Sequence, residues 1–238
     1  MPSDAHPESS RKKAPARGKP GRRRSVETQA LTEMALRACM VASDDAFNTR
    51  DFLANASHMA FLAVRDCEKE LDRIEQQMDE QLPSAITQVS ELEARELLAC
   101  LRFSNELERI GDLLWWVAQR LQSLPRRLPK QDSSQLMEMM AILEKMLQSV
   151  RQGFTQRDLD PASYVLRADR EIDQVYRILF RRQVATTTAK KTQHSTDVLL
   201  MGQALERAGD HATNLAEELF RLIEGRSLRH TQKKRMRD

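Results

Sequence analysis

Two six-residue segments of this chain, 98 positions apart, are nearly identical. Leu107–Asp112 reads LERIGD and Leu205–Asp210 reads LERAGD, so five of the six positions agree. Each segment has a helix-forming composition, yet it contains a glycine and two acids spaced four residues apart. Like charges at this spacing share one helix face and repel each other by about 0.2–0.5 kcal/mol, and a helical glycine costs about 1 kcal/mol relative to alanine. Because the same two costly features occur twice in one register, the chain is predicted to be a tandem repeat that carries chemistry as well as packing.

The composition favours helices throughout the chain. Only 7 glycines and 8 prolines occur in 238 residues, and no alternating β-rich run is bounded by turn residues. No apolar run reaches the roughly 18 residues of a membrane span, and the N-terminus lacks the apolar stretch of a signal peptide. The three cysteines are widely spaced, which favours buried thiols in a reducing cytoplasm.

Both ends of the chain are basic, whereas the central part is acidic. Residues 1–24 carry 8 basic and 2 acidic side chains, residues 226–238 carry 6 and 1, and the rest carries 24 and 32. The N-terminal tail is expected to be disordered because it contains almost no apolar residue. Its Arg22–Arg24 segment could contact nucleic acid or anionic lipid, and a merely solubilising tail is the alternative.

The first half of the acidic part is predicted to contain three helices. The first is expected over residues 25–48 and is followed by a corner at Phe47–Phe52. The second is expected to end before Pro83, because proline interrupts a helix. The third is expected to begin at Ser90, which forms a capping-box pattern with Glu93, and to reach Leu124.

The second half repeats this arrangement. The fourth helix is expected to begin near Ser133 or Ser134 and to end near residues 154–159, and a fifth is expected from Asp160–Pro161 to about Val184. The sixth is expected over residues 192–224, with Gly225 as its C-cap. The predicted fold is therefore all-α: two tandem three-helix bundles, residues 25–125 and 131–225, with six antiparallel helices related by internal pseudo-symmetry.

The second helix of each set also carries acids spaced four residues apart, and the two pairs are 101 residues apart. Antiparallel neighbours would bring the acids of the second and third helices together in each set. Carboxylates without histidine select hard cations such as Mg²⁺, Mn²⁺, Ca²⁺ or Fe³⁺. A solvated acidic face is the alternative reading, and Asp66 with Glu70 is a competing pair in the first set. The eight candidate metal ligands are Glu68, Asp72, Glu108, Asp112, Asp169, Asp173, Glu206 and Asp210.

Several residues beside these acids have two possible roles. Arg109 and Arg207 are expected to form structural ion pairs across helices, or else to neutralise part of the acidic sites. His211 lies about 100° around the helix from Asp210, so we interpret it as a structural hydrogen-bonding residue rather than a ligand. Trp115 and Trp116 are expected to belong to the core or to a dimer contact, and an exposed partner-binding patch is the alternative.

These motifs resemble the signature segments of the PhoU family of phosphate-transport regulators. The second signature continues as far as Glu217, Glu93–Arg95 is similar to the family's Asp-Leu-Arg segment, and Asp169–Asp173 is similar to its Asp-x-x-Ile-Asp element. The resemblance covers about residues 28–224 and implies two three-helix bundles that bind metal through their acid pairs. Trp116 and Gln119 stand where the family usually has Asn and Glu, which weakens the expectation of metal binding in the first set more than in the second.

The resemblance also implies a function. The chain would be a cytoplasmic regulator, often a homodimer, that represses phosphate uptake and the phosphate-starvation response. Its expected partners are the ATPase of the phosphate ABC transporter and a phosphate-sensing histidine kinase, and its expected cofactor is a hard Mg, Mn or Fe ion. No catalytic triad, Gly-rich phosphate loop or ExxH di-iron motif occurs, so an enzyme is not expected. The alternatives are a nucleic-acid-associated protein that acts through its basic tails and, less well supported, a carboxylate-bundle oxidase.

Overall fold

The computed structural model describes residues 25–185 and 192–225. The basic tails of the chain lie outside these residues, as do the predicted connection at 186–191 and the expectation of disorder in residues 1–24. The nucleic-acid alternative depends on the tails and stays a prediction.

The described residues form six helices and no strand, as the composition predicts. They are α1 (Val26–Asn55), α2 (His58–Ile86), α3 (Glu91–Ser123), α4 (Lys130–Gln156), α5 (Asp160–Ala185) and α6 (Thr192–Glu224). Within the described part, no helix combines the length and the apolar composition needed to cross a membrane.

The six helices pack as two sets of three. In α1–α3 and in α4–α6, each helix contacts the other two of its set, and the two sets meet along the pairs α3–α6 and α1–α4. Helices α2 and α5 therefore lie on the outside of the described structure, each against its own set. The main apolar core continues through both sets and includes Leu107, Ile110, Leu143 and Leu205. The predicted pair of three-helix bundles is confirmed, while the boundaries of two separate domains stay a prediction.

Equivalent corners join the first two helices of each set. At both corners a residue adopts the left-handed conformation: Ala56 has φ 52° and Arg157 has φ 54°. The N–H of Ala56 donates to the carbonyl of Phe52, and the N–H of Arg157 donates to that of Gly153. These corners are 101 residues apart, which is also the spacing of the acid pairs on α2 and α5.

Several helix boundaries differ from the predictions. The corner expected at Phe47–Phe52 is wrong, because buried Thr49 and Phe52 continue the apolar face of α1. Helix α2 was expected to end before Pro83, but it continues through Pro83 to Ile86. Pro83 lies in the last turn of the helix, so it interrupts few helical hydrogen bonds. Helix α4 begins at Lys130 after Pro129, three residues before the expected caps, and Asp160 is already helical.

Other helix ends agree with the predictions. Ser90 and Glu93 form the expected capping box at the start of α3, and the Glu93 carboxylate also accepts from the Ser25 N–H at 2.8 Å. Gly225 follows α6 at φ 68°, and its N–H donates to the Arg221 carbonyl at 3.0 Å. The N-termini of α1 and α3 are thus held side by side, which fixes the relative position of these two helices.

Candidate metal centres

The first acidic cluster lies where α2 packs against α3. Glu68 and Asp72 on α2 and Asp112 on α3 each place a carboxylate oxygen within 4.8 Å of the other two. Glu108, one turn before Asp112, joins them, since the charges of Asp112 and Asp72 both act on its carboxyl group. All four candidate ligands of the first set therefore come together.

A close approach of α2 and α3 makes this cluster possible. Gly111 has no side chain, and a Cβ built at this position would lie only 2.6 Å from the Leu71 Cδ1 atom. Leu71 is buried and immediately precedes Asp72 on α2. The glycine of the repeated segment thus lets the helix that carries Asp72 pack against the helix that carries Asp112.

Burial and mutual repulsion raise the pKa values of three of these acids. Burial, followed by the charges of Asp112 and Asp72, raises the pKa of Glu108 to about 7. Burial and neighbouring carboxylates raise the pKa of Glu68 and of Asp112 in the same way. Among the described residues, no lysine, arginine or histidine forms an ion pair within 4.0 Å with these four acids. The first cluster is therefore a compact group of oxygen ligands with unbalanced negative charge, which fits a hard cation.

The competing pair in α2 is engaged elsewhere. Glu70 is 2.6 Å from the Arg37 guanidinium, and Asp66 is 2.9 Å from the Arg65 guanidinium. Ala56 precedes Glu68 by the same 12 residues that separate Arg157 from Asp169. Glu68 and Asp72 are consequently the counterparts of the acids on α5.

The second cluster lies between α5 and α6. The charges of Asp210, Asp173 and Asp169, after burial, raise the pKa of Glu206, so all four candidates share one neighbourhood. Burial likewise raises the pKa of Asp169, and the nearby Thr213 hydroxyl offsets part of this rise without forming a hydrogen bond. Asp173 lies 3.2 Å from the Arg177 guanidinium.

The two clusters differ in compactness, and the more compact one is the first, where weaker metal binding was expected from the sequence. Among the described residues, only Glu68, Asp72 and Asp112 form a group of three acids within 4.8 Å. Trp116 and Gln119 line a groove of about 660 Å³ between α3 and α6, which Asp112 of the first cluster also lines. Asn214, the counterpart of Trp116, faces the other set of helices, since its amide donates to Glu106 on α3 at 3.0 Å.

The arginines of the repeated segments act on the acids beside them. The pKa values of Glu108 and Glu206 are raised overall, and the charges of Arg109 and Arg207 offset part of each rise, which agrees with partial neutralisation. The structural pairing across helices predicted for Arg109 is wrong, since its closest acid is Glu106 on the same helix at 4.0 Å.

A polar bridge that the sequence did not reveal connects the two sets. The Glu106 carboxylate on α3 is 2.7 Å from the His211 Nδ1 atom on α6 and also accepts from Asn214. Burial alone would raise the pKa of Glu106, but these two hydrogen bonds outweigh it and the pKa is lowered. The structural role predicted for His211 is confirmed. Glu106 carries no local sequence signal because both partners are more than 100 residues away.

The two tryptophans have different environments. Trp115 is partly buried, and its ring centroid is 5.1 Å from that of Phe61. Trp116 is 36% exposed in the α3–α6 groove, where the Arg120 guanidinium lies 5.2 Å from its ring centroid. Trp115 thus agrees with the core interpretation, whereas the dimer-contact and partner-patch interpretations of Trp116 stay open.

Comparisons with known proteins agree with the repeat. The family model described as the PhoU domain matches residues 30–121 and 136–219. A Thermotoga maritima protein named phosphate-specific transport system accessory protein PhoU homolog 1 is 26% identical over 173 residues, covering 70% of this chain and 74% of that protein. A Zymomonas mobilis PhoU homolog is 27% identical over 206 residues, covering 85% and 83%. A Xylella fastidiosa homolog is 32% identical over 137 residues, covering 56% of this chain and 58% of that protein.

Solved structures show the same fold. The crystal structure of PhoU from Pseudomonas aeruginosa matches with a TM-score of 0.75 at 23% identity, covering 84% of this chain and 98% of that one. The phosphate transport system regulatory protein PhoU from Streptococcus pneumoniae matches with a TM-score of 0.75 at 20% identity, covering 85% and 98%.

Proposed function

Because the chain belongs to the PhoU family, we propose that it is an accessory protein of a phosphate transport system that represses phosphate uptake and the phosphate-starvation response. The observation that carries this proposal is the match of the PhoU domain to both halves of the chain, each of which contains a cluster of four acids. Relatives that match this chain are named as accessory proteins of phosphate-specific transport.

The proposed role is that of an adaptor in the cytoplasm. It joins the ATPase of a phosphate ABC transporter to a phosphate-sensing histidine kinase, acts as a homodimer and performs no chemical step itself. Six long helices that pack against one another suit this role, because a rigid bundle can offer fixed surfaces to partner proteins.

Metal binding is the second part of the proposal. The ligands are the four acids of each set, and the donor chemistry fits Mg, Mn or Fe ions. A bound cation supplies positive charge that offsets the repulsion among the carboxylates. Since each cluster spans two helices, this charge stabilises the contact of α2 with α3 and of α5 with α6. The acids also restrict each site to oxygen ligands, which favours hard cations over zinc or copper. The eight proposed ligands are Glu68, Asp72, Glu108, Asp112, Asp169, Asp173, Glu206 and Asp210.

The adaptor role can be tested by affinity capture from the source cells. The full chain is tagged and recovered from cells grown at high and at low phosphate, and bound proteins are identified by mass spectrometry. The proposal predicts recovery of the transporter ATPase and of a sensor kinase, with amounts that change with phosphate. A chain in which all eight acids are converted to their amides is expected to recover less of both.

The matched control converts two exposed acids outside the clusters, Glu80→Gln and Glu138→Gln. This control is expected to recover both partners as the unmodified chain does. Recovery of neither protein at either phosphate level would contradict the adaptor role.

A further inference from the structure

A carboxyl group without any hydrogen bond lies in the interior of the first set. Asp45 on α1 is fully buried, and neither of its oxygens has a hydrogen-bond partner among the described residues. Thr49, one turn later, is also fully buried, and its hydroxyl oxygen lacks a partner too. The Thr49 hydroxyl lies near enough to offset part of the rise in the pKa of Asp45, but the two groups do not reach hydrogen-bond geometry. Buried polar groups are normally paired, since an unpaired one costs about 1–3 kcal/mol, so this arrangement requires a reason.

Asp45 lies directly beneath the first acidic cluster. A Cβ built at Gly111 would be 3.8 Å from the Asp45 Oδ2 atom, so the glycine between Glu108 and Asp112 faces this carboxyl. Burial and then the charge of Glu68 raise the pKa of Asp45, which places Glu68 close to it. The unpaired carboxyl is therefore adjacent to α2 and α3 at the level where the cluster forms.

The second set shows that the fold does not need a carboxyl at this position. With the spacing of 101 residues given by the two corners, Asp45 corresponds to Met146 and Thr49 to Val150. Both Met146 and Val150 are fully buried apolar residues of the core. The same site is thus packed by hydrocarbon in one set and by two unpaired polar groups in the other.

We propose that Asp45 is a fifth carboxylate ligand of the first cluster, which reaches a hard cation from the interior while Glu68, Asp72 and Asp112 hold it from the surface. This inference rests on the metal binding in the proposed function and adds a difference between the two sites. Cation affinity of oxygen sites rises with the number of charged ligands. The first site therefore binds its cation more tightly than the second, where Met146 occupies the equivalent interior position.

The test measures Mn²⁺ binding by calorimetry on the full chain. Asp169→Asn and Asp210→Asn first remove Mn²⁺ binding by the second cluster, so that only the first site contributes to the measured heat of binding. In this background Asp45→Met copies the residue found at the equivalent position, and Asp45→Asn keeps the original volume. Asp44→Asn is the matched control, because it removes the same charge from an exposed neighbour on α1.

The expected result is a loss of Mn²⁺ affinity of about tenfold or more in both Asp45 variants and little change in the Asp44 control. The Asp45→Met variant without metal is also expected to melt at a higher temperature than its parent, because a buried unpaired acid has been replaced by a core residue. The higher melting temperature shows that a weaker binding constant does not come from misfolding.

Equal Mn²⁺ affinity in the Asp45 variants and the Asp44 control would overturn the inference and leave the proposed metal site intact. Absence of Mn²⁺ binding to the parent protein as well would overturn both the inference and the metal binding on which it rests.

Discussion

Two glutamates in one turn of α3 show how strongly the surroundings of a side chain change its pKa. Glu106 faces α6, where hydrogen bonds from His211 and Asn214 hold its pKa below the ordinary value despite burial. Glu108 faces α2, where burial and two aspartates raise its pKa to about 7. The repeated LER-x-GD pattern identified Glu108 in advance, because both copies carry it. It could not identify Glu106, because Ala204 occupies the equivalent position in the second copy.

Removal of the Glu106 carboxylate tests the bridge between the two sets. We expect Glu106→Ala to lower the free energy of unfolding by about 1–3 kcal/mol, because His211 and Asn214 lose their shared acceptor at a half-buried site. Urea denaturation followed by circular dichroism measures this change. Glu80→Ala, which truncates an exposed acid on α2, should change the same free energy by less than about 0.5 kcal/mol. Equal effects of the two substitutions would show that the bridge contributes no stability.

At the scale of elements, the helices and the corner between α4 and α5 were predictable, but the corner between α1 and α2 was not. Apolar periodicity and the Ser90–Glu93 capping box gave α3 to within one residue at each end, and Gly225 marked the end of α6. The first corner was misplaced because Phe47–Phe52 resembles Phe154–Leu159 in sequence, although the two segments are not equivalent in the fold. The true corners have Ala56 and Arg157 in a conformation that favours glycine, so neither residue type signals the turn.

The left-handed conformation of Ala56 at the first corner leads to a prediction about stability. Ala56→Gly is expected to raise the free energy of unfolding by about 0.5–1 kcal/mol, because glycine adopts φ 52° without the clash that an alanine Cβ makes. The control is Ala54→Gly, two residues earlier in α1, where glycine should lower the same free energy by up to about 1 kcal/mol. Thermal or chemical unfolding of both variants distinguishes the signs. A destabilised Ala56→Gly variant would show that the left-handed corner carries no strain.

At the scale of the whole molecule, the internal repeat made the common features of the two sets predictable but not the differences between them. The repeated segments indicated two three-helix sets and the eight acids, and the structure gathers each set of four into one neighbourhood. The differences between the sets depend on contacts across helices, such as the compact first cluster and the unpaired Asp45 beneath it. Such contacts join residues far apart in the chain, so no local pattern reports them.

We propose that these two acidic clusters hold cations, and this cation binding is the basis of the proposed regulation. It is tested most directly by the melting temperature of the full chain with and without Mn²⁺, compared with a variant in which all eight acids are converted to Asn or Gln. The variant is expected to melt at a higher temperature than the unmodified chain without metal, because the carboxylates no longer repel. Mn²⁺ is expected to raise only the melting temperature of the unmodified chain. An equal rise with Mn²⁺ in both proteins would contradict the claim.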